Sequence, residues 1–270
     1  MKIDTITSAQ NPKIKTLLEL QEKSRARRKE GLFVVEGCRE LMHCLSSGYI
    51  PYSVFVCSEI ISPKELESLA GAVKSGSDKC GFFDLPKHLY EKVAYRGGTE
   101  GVIAELHCKS HSLESLDLKA NPLVIVLEAV EKPGNLGAVL RSADAAGADA
   151  VIVCDPLTDL YNPNLIRSSI GGIFTVPVAA ASSEETISWL KERNIKIFTA
   201  QLQDSKWYYD TDMKGGTALV MGTEATGLTD VWRKAADAHI KIPMLGKLDS
   251  LNVSVSAAIL LFEAVRQRNS

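Results

Sequence analysis

Residues 217–228 read TALVMGTEATGL, and residues 239–265 read HIKIPMLGKLDSLNVSVSAAILLFEAV. Each stretch begins as a short apolar strand and runs into a polar, glycine-bearing loop. A helix rich in small residues follows the second loop and continues almost to the end of the chain. Glu224, Ser250 and Asn252 therefore stand where strands give way to loops, which is where a parallel α/β sheet positions its ligand. A third loop, EKPGNLGAVLRSADAAG at 131–147, supplies Asn135 and Arg141. Three polar loops far apart in sequence, all at strand ends, point to one composite site.

Working outward, residues 121–270 alternate strand and helix throughout. LVIVLEAV is nearly all apolar, as expected of a strand buried on both faces. The helix GNLGAVLRSADAAG ends at Gly147, and ADAVIVC, FTVPV (174–178), KIFTAQL, TALVMG and HIKIPM read as further strands. Helices are expected around 164–171, 184–193 and 229–236, and an aromatic loop holds Trp207, Tyr208 and Tyr209. This alternation predicts a mostly parallel sheet covered on both faces. Residues 1–108 read as a separate small α/β unit, with helices at 12–29, 39–47, 63–74 and 86–94 and strands at 32–37, 52–57 and 101–106. The polar stretch KSHSLESLDLKA at 109–120 reads as a linker with one helical turn.

Composition narrows the function. The chain has 270 residues, 45% hydrophobic and 24% charged, ordinary proportions for a globular protein. No apolar run reaches bilayer length, and MKIDTITSAQNPKIK lacks the apolar core of a secretory signal, so a cytoplasmic location is expected, with no membrane partner. Cys38, Cys44, Cys57, Cys80, Cys108 and Cys154 include no C-x-x-C pair and read as free thiols. His107, Cys108 and His111 lack further matched ligands, so no metal is expected. His43, His88 and His239 receive no role. A net charge of −2 excludes a uniformly basic nucleic-acid binder. The charge is nonetheless uneven: Lys13, Lys15, Lys23, Arg25, Arg27, Arg28 and Lys29 face only Glu19 and Glu22 across one segment. That cluster reads equally as a solvated helix face or as a patch that steers a polyanion.

The loops carry the chemistry. PGNLG is neither the G-x-G-x-x-G of a dinucleotide site nor a phosphate-binding loop ending in G-K-[S/T], which argues against nicotinamide and nucleoside triphosphate chemistry. Gly134 and Gly137 permit close backbone approach. Arg141, on a helix expected to pack on the sheet, calls for an anion: a carboxylate such as Glu224, or a substrate phosphate. The acid at Glu224 reads as a base, an orienter of arginine or a helix N-terminal charge. Ser250 and Asn252 read as helix caps or as groups that hold a substrate.

The three motifs PGNLGAVLRSADAAG, LVMGTEATGL and IPMLGKLDSLNVSVSAAI, with NPNLIRSSIGGIFTVPV between the first two, resemble in order those of the SpoU (TrmH) class of RNA 2'-O-ribose methyltransferases of the SPOUT superfamily. The N-terminal ITSAQNPKIKTLL and RRKEGLFVVEG are similar to that class's L30e-like substrate-binding extension. One position departs: Ala225 stands where the class usually has glycine. The resemblance implies a knotted parallel-sheet SPOUT catalytic domain at 121–270, preceded by an RNA-binding domain at 1–108. It implies S-adenosyl-L-methionine as cofactor, held largely by backbone around Gly222, Ile242, Met244 and Leu251 with help from Ala200 and Gln201. It further implies a homodimer with the site near the subunit interface, which would suit the aromatic loop.

By motif, Arg141 lies nearest the reacting hydroxyl. A guanidinium keeps its proton at any ordinary pH, so a charged Arg141 that grips phosphate and steadies a developing alkoxide fits better than a literal base. Asn135, Ser250 and Asn252 are expected to orient the ribose, and Glu224 to hold Arg141 or Asn135. Lys23, Arg25, Arg27, Arg28 and Lys29 are the expected RNA contacts. The expected substrate is large-subunit (23S) rRNA, in a housekeeping or an antibiotic-resistance role. The alternatives are a tRNA 2'-O-methyltransferase of the same class and a cofactor-free RNA-binding or ribosome-assembly protein.

Overall fold

A computed structural model describes residues 3–77, 79–95, 100–223 and 226–270. The chain forms two compact units, one of residues 1–109 with 160–166 and the other of 110–159 with 167–270. The stretch Leu160–Ile166, which sequence alone assigns with the second half, thus belongs with the first.

The first unit contains β1 (Asp4–Thr5), α1 (Pro12–Glu22), α2 (Ser24–Glu30), β2 (Leu32–Glu36), α3 (Cys38–Ser46), β3 (Pro51–Val56), α4 (Pro63–Gly76), β4 (Gly81–Asp84), α5 (Lys87–Val93) and β5 (Val102–His107). The sheet order is β1-β4-β3-β5-β2. β5 runs antiparallel to both its neighbours, and the other pairs are parallel. Ile14, Leu17 and Leu20 of α1, three apart on one helical face, are fully buried with Phe55 and Ile103 beneath them. Phe33 stacks on Tyr161 with centroids 4.2 Å apart.

The expected helix at 12–29 is two helices. Lys23 is extended (φ −114°, ψ 114°), ending α1 and preceding α2. The break is stabilised by Arg27, which is 3% exposed and donates to the Leu20 and Gln21 carbonyls. The last carbonyls of a helix have no partner within it, and here a side chain from the next helix supplies one. Arg27 is therefore a buried structural residue, which removes it from the expected RNA-facing set. Lys23, Arg25, Arg28 and Lys29 are exposed.

The second unit contains β6 (Leu123–Glu128), α6 (Pro133–Ala146), β7 (Ala150–Cys154), the end of α7 (Pro163–Ser168), α8 (Gly172–Thr175), β8 (Val178–Ala181), α9 (Ser183–Glu192), β9 (Lys196–Ala200), β10 (Lys206–Trp207), β11 (Thr217–Met221), α10 (Asp230–Ala235), β12 (Ala238–Lys241) and α11 (Val253–Arg268). One helical turn, Leu113–Ser115, lies in the segment read as a linker. All seven strands are parallel, in the order β10-β12-β9-β11-β6-β7-β8. The central strands are buried on both faces, as their unbroken apolar runs require. FTVPV is not a strand. Residues 172–175 form α8, and pairing with β7 begins at Val178, because Pro177 has no N–H to give the ladder and offers only its carbonyl, to Val151 N.

Helix α11 packs along α6, and both its ends are fastened. At its C-terminus the Arg268 guanidinium donates to the carbonyls of Met213, Asn121, Pro122 and Gly215, and Gln267 exchanges hydrogen bonds with Met213 N and Thr211 O. These contacts tie the helix to the amino ends of β6 and β11. At the other end its first turn lies at the carboxyl edge of the sheet.

Candidate active site

A cleft of about 390 Å³ opens at the carboxyl ends of β9, β11 and β12, in the second unit. Its size falls in the range of small-molecule sites. All six residues expected around the cofactor line it: Ala200, Gln201, Gly222, Ile242, Met244 and Leu251, as does Ser250.

One wall is the loop after β11. A Cβ on Gly222 would meet the Gly227 carbonyl carbon at 2.3 Å, so only glycine fits there. Thr223 and Gly227 exchange backbone hydrogen bonds (3.2 and 3.1 Å), and Gly227 turns the chain at φ +69°. The Thr223 hydroxyl also accepts from Thr226 N at 3.0 Å. The turn encloses positions 224 and 225, so the expected role of Glu224 and the departure at Ala225 lie outside the described residues.

The far end of that loop is held by a residue that sequence reading did not single out. Glu128, at the end of β6, is 3% exposed. Its carboxylate accepts from Thr229 N (2.9 Å) and Thr229 Oγ1 (2.6 Å). Thr229 is the N-cap of α10 yet makes no cap bond with its own side chain; the acid from β6 takes that place. Ser183 Oγ lies 3.4 Å from Glu128, donates to Asp155 at 2.6 Å and accepts from the buried Trp232 indole at 2.9 Å. The network joins β6, β7, α9 and α10 beneath the loop. The only sequence signal for it is an acid ending an otherwise apolar strand.

Asn135 and Asn252 meet. Asn252 Nδ2 donates to Asn135 Oδ1 at 3.1 Å, across 117 residues. Asn252 also caps α11, its Oδ1 accepting from Ser254 N at 3.0 Å and Ser254 Oγ at 2.6 Å. One side chain thus caps α11 through Oδ1 and reaches Asn135 through Nδ2. Ser250 is exposed and donates weakly to Asp249 at 3.3 Å. Gly137 is where α6 needs glycine: a Cβ there would meet Ser168 Oγ at 2.0 Å, whereas one on Gly134 would meet open space.

Arg141 is exposed, on the solvent side of α6, and among the described residues it makes no hydrogen bond or ion pair. Of the two anions expected for it, a carboxylate or a substrate phosphate, no carboxylate among those residues pairs with it, and Glu224 lies outside them. Side chains on a helix tilt toward its N-terminus, so Arg141 leans back toward the end that carries Asn135.

Two polar atoms in the cleft are buried without a partner among the described residues: Gln201 Oε1, an acceptor, and Arg233 Nε, a donor. Buried polar atoms are almost always paired, so a donor and an acceptor left open in a cleft suit a polar ligand. The same residues hold no cluster of three or more His, Cys, Asp or Glu disposed to bind a metal, and no helix long and apolar enough to cross a membrane. His111 Nδ1 is occupied by the Val178 carbonyl at 2.9 Å, and His107 packs edge-on against Tyr52.

Comparison with known proteins agrees with this geometry. Residues 122–262 match the SpoU rRNA Methylase family, and residues 11–104 match the MRM3-like substrate binding domain. The chain is 30% identical over 257 residues to the 23S rRNA (guanosine(2553)-2'-O)-methyltransferase RlmP of Bacillus subtilis, covering 95% of this chain and 97% of that one. The crystal structure of an RNA 2'-O ribose methyltransferase superposes with a TM-score of 0.83 at 36% identity, covering 98% of this chain and all of that one. The AdoMet-bound rRNA methyltransferase of Sinorhizobium meliloti superposes with a TM-score of 0.89 at 26% identity, covering 98% of each chain. The chain belongs to the SpoU rRNA methylase family.

Proposed function

We propose that this protein is an S-adenosyl-L-methionine-dependent methyltransferase acting on a ribose 2'-hydroxyl of 23S rRNA. The observation that carries the proposal is the meeting of Asn135 and Asn252 beside a ligand-sized cleft whose Gly222 wall tolerates no side chain. The full-length similarity to an enzyme named for 23S rRNA favours that RNA over tRNA.

The cleft residues fit the cofactor. Backbone at Gly222, Ile242, Met244 and Leu251 and the open atoms of Gln201 and Arg233 offer donors and acceptors to a nucleoside bearing an amino acid. When bound, the cofactor supplies a methyl already activated by its positive sulfur, so the protein's task is positioning and proton handling. Arg141, exposed and uncommitted among the described residues, grips a substrate phosphate and stabilises charge developing on the ribose oxygen. The hydroxyl proton passes to that phosphate or to water. The Asn135–Asn252 pair orients the ribose, joined by Ser250, while Glu224 holds Arg141 or Asn135. The catalytic chain path is knotted through α11.

The first unit recruits RNA, with Lys23, Arg25, Arg28 and Lys29 as phosphate contacts. Among the described residues Lys23 and Lys29 pair only with exposed acids, Glu19 at 3.2 Å and Glu30 at 2.9 Å, which phosphates displace at little cost. The protein acts as a cytoplasmic homodimer. The exposed Val255 and Phe262 lie two turns apart on one face of α11, and Leu245 and Leu248 stand 97% and 77% exposed in the preceding loop. Apolar exposure of that extent fits a second copy of the chain.

Calorimetric titration with S-adenosyl-L-methionine tests the cleft directly. One site per chain is expected, and Gly222→Val should abolish it. A wild-type protein that binds no cofactor would leave only an RNA-binding reading. Sedimentation analysis tests the dimer: Phe262→Glu should yield monomers, and a wild-type monomer would overturn it.

A further inference from the structure

The inner strands β3 and β5 of the first unit are almost wholly covered, which makes the one breach in each informative. Tyr52 is the sole exposed residue of β3, and His107 the sole exposed residue of β5. They are neighbours, with ring centroids 5.6 Å apart and an interplanar angle of 82°. Tyr52 is 45% exposed because the β3–β5 register shifts between Pro51 and Ser53. Bulges of this kind re-aim a side chain, and this one turns an aromatic ring out of a buried strand. Ile50, 53% exposed, flanks the pair, and its carbonyl accepts from His107 N at 2.9 Å.

The basic segment ends beside these rings. Gly31 closes α2 at φ +63°, and its carbonyl accepts from Cys108 N at 2.8 Å. Leu32 pairs with His107 in the β2–β5 register. Adjacent strands lie ~4.8 Å apart, so the end of α2 and Tyr52 are separated by roughly 10 Å across β2, β5 and β3, about one nucleotide's reach from phosphate to base. Arg25 and Arg28 make no ion pair among the described residues.

We propose that Tyr52 and His107 form a stacking platform for an unpaired base of the RNA whose phosphates meet Arg25, Arg28 and Lys29. The inference rests on RNA being the substrate and adds how the first unit selects it. Proteins recognise folded RNA chiefly at loops and bulges, where splayed bases stack on exposed aromatic and imidazole rings beside a basic track. An exposed ring pair at the end of a basic helix has that composition. Charge complementarity favours RNA over an apolar protein surface, because the flanking exposed helix is cationic.

The test is filter retention of an unmodified 23S rRNA transcript by the full chain across a salt series. Stacking carries little counterion release, so Tyr52→Ala should lower affinity about 10-fold with the salt slope unchanged. Arg25→Ala with Arg28→Ala should flatten the slope. Tyr52→Trp should bind as wild type, and Tyr52→Leu, which keeps apolar bulk without a π face, should bind as weakly as alanine. Calorimetric affinity for S-adenosyl-L-methionine, which reports an intact chain, should not change in any of them. Wild-type binding by Tyr52→Ala or by Tyr52→Leu, or a loss in Tyr52→Trp equal to that of alanine, would overturn the platform alone. A wild-type protein that retains no rRNA would overturn the RNA reading itself, and the platform with it.

Discussion

Two polar constellations stand at the carboxyl edge of the same parallel sheet, and they are built in opposite ways. Glu128, Thr229, Ser183, Asp155 and Trp232 form a network beneath the cofactor loop in which the Glu128 carboxylate and Ser183 hydroxyl are each engaged more than once. Arg141, Ser250 and Asn252 are exposed, and among the described residues Arg141 has no partner. A network whose centre, Glu128, Ser183 and Trp232, is buried and already hydrogen-bonded has little capacity left for a ligand, but it fixes backbone, because breaking it strands desolvated groups. An exposed set with spare donors costs little to keep and can bind. Under the proposed function the first constellation positions and the second reacts.

The sharpest way to break this contrast is Arg141→Lys. It keeps the charge but loses the planar fork, so methyl transfer should fall by about 1,000-fold or more, with Tm and calorimetric cofactor affinity unchanged. Retained activity would remove Arg141 from the site. Glu128→Ala should do the reverse. Leaving the Thr229 N–H and hydroxyl without their acceptor should cost about 2 kcal/mol in urea unfolding and weaken cofactor binding through the loop, while kcat at saturating cofactor changes little. Glu128→Gln should recover most of both. A drop in kcat without loss of stability would mean that Glu128 acts on the substrate.

The same contrast recurs within the basic segment. Arg27→Ala should destabilise the first unit by about 2 kcal/mol by exposing the Leu20 and Gln21 carbonyls, whereas Arg28→Ala should leave Tm unchanged and weaken RNA binding. Equal stability effects would erase the distinction between them. Glu105 supplies a smaller test. It is 2% exposed on β5 with Oε1 unpartnered among the described residues, and burial raises its carboxyl to about 7. The folded state therefore binds this proton more tightly than the unfolded chain does. The group destabilises little below the ordinary carboxyl range, and the full penalty is present above pH 7. Glu105→Gln should thus raise Tm by several degrees at pH 8 and hardly at all at pH 4.5. A gain of the same size at both pH values would contradict the titration.

Much of the second unit was legible because its signals are local. Unbroken apolar runs mark the parallel strands, and glycine-bearing loops after them mark the ligand edge where Gly222, Asn135 and Asn252 lie. What was missed depends on contacts that sequence spacing does not carry. A helical pattern at 12–29 does not reveal that Lys23 breaks it or that Arg27 folds back on α1. The strand β4 has only four residues and no alternation. FTVPV has the composition of a strand, but Pro177 delays the ladder. Glu128 looks like one acid at a strand end until Thr229, 101 residues away, is brought to it. Tyr52 is an ordinary strand aromatic until the β3–β5 register turns it outward.

The most direct test of the central claim is transfer of a labelled methyl from S-adenosyl-L-methionine to total RNA from a strain lacking the gene, followed by mass analysis of digested nucleosides. A 2'-O-methyl nucleoside recovered from 23S rRNA, and absent with the Arg141→Lys protein, is the predicted result. Label on a base, label confined to tRNA, or no transfer by a protein that binds the cofactor would contradict it.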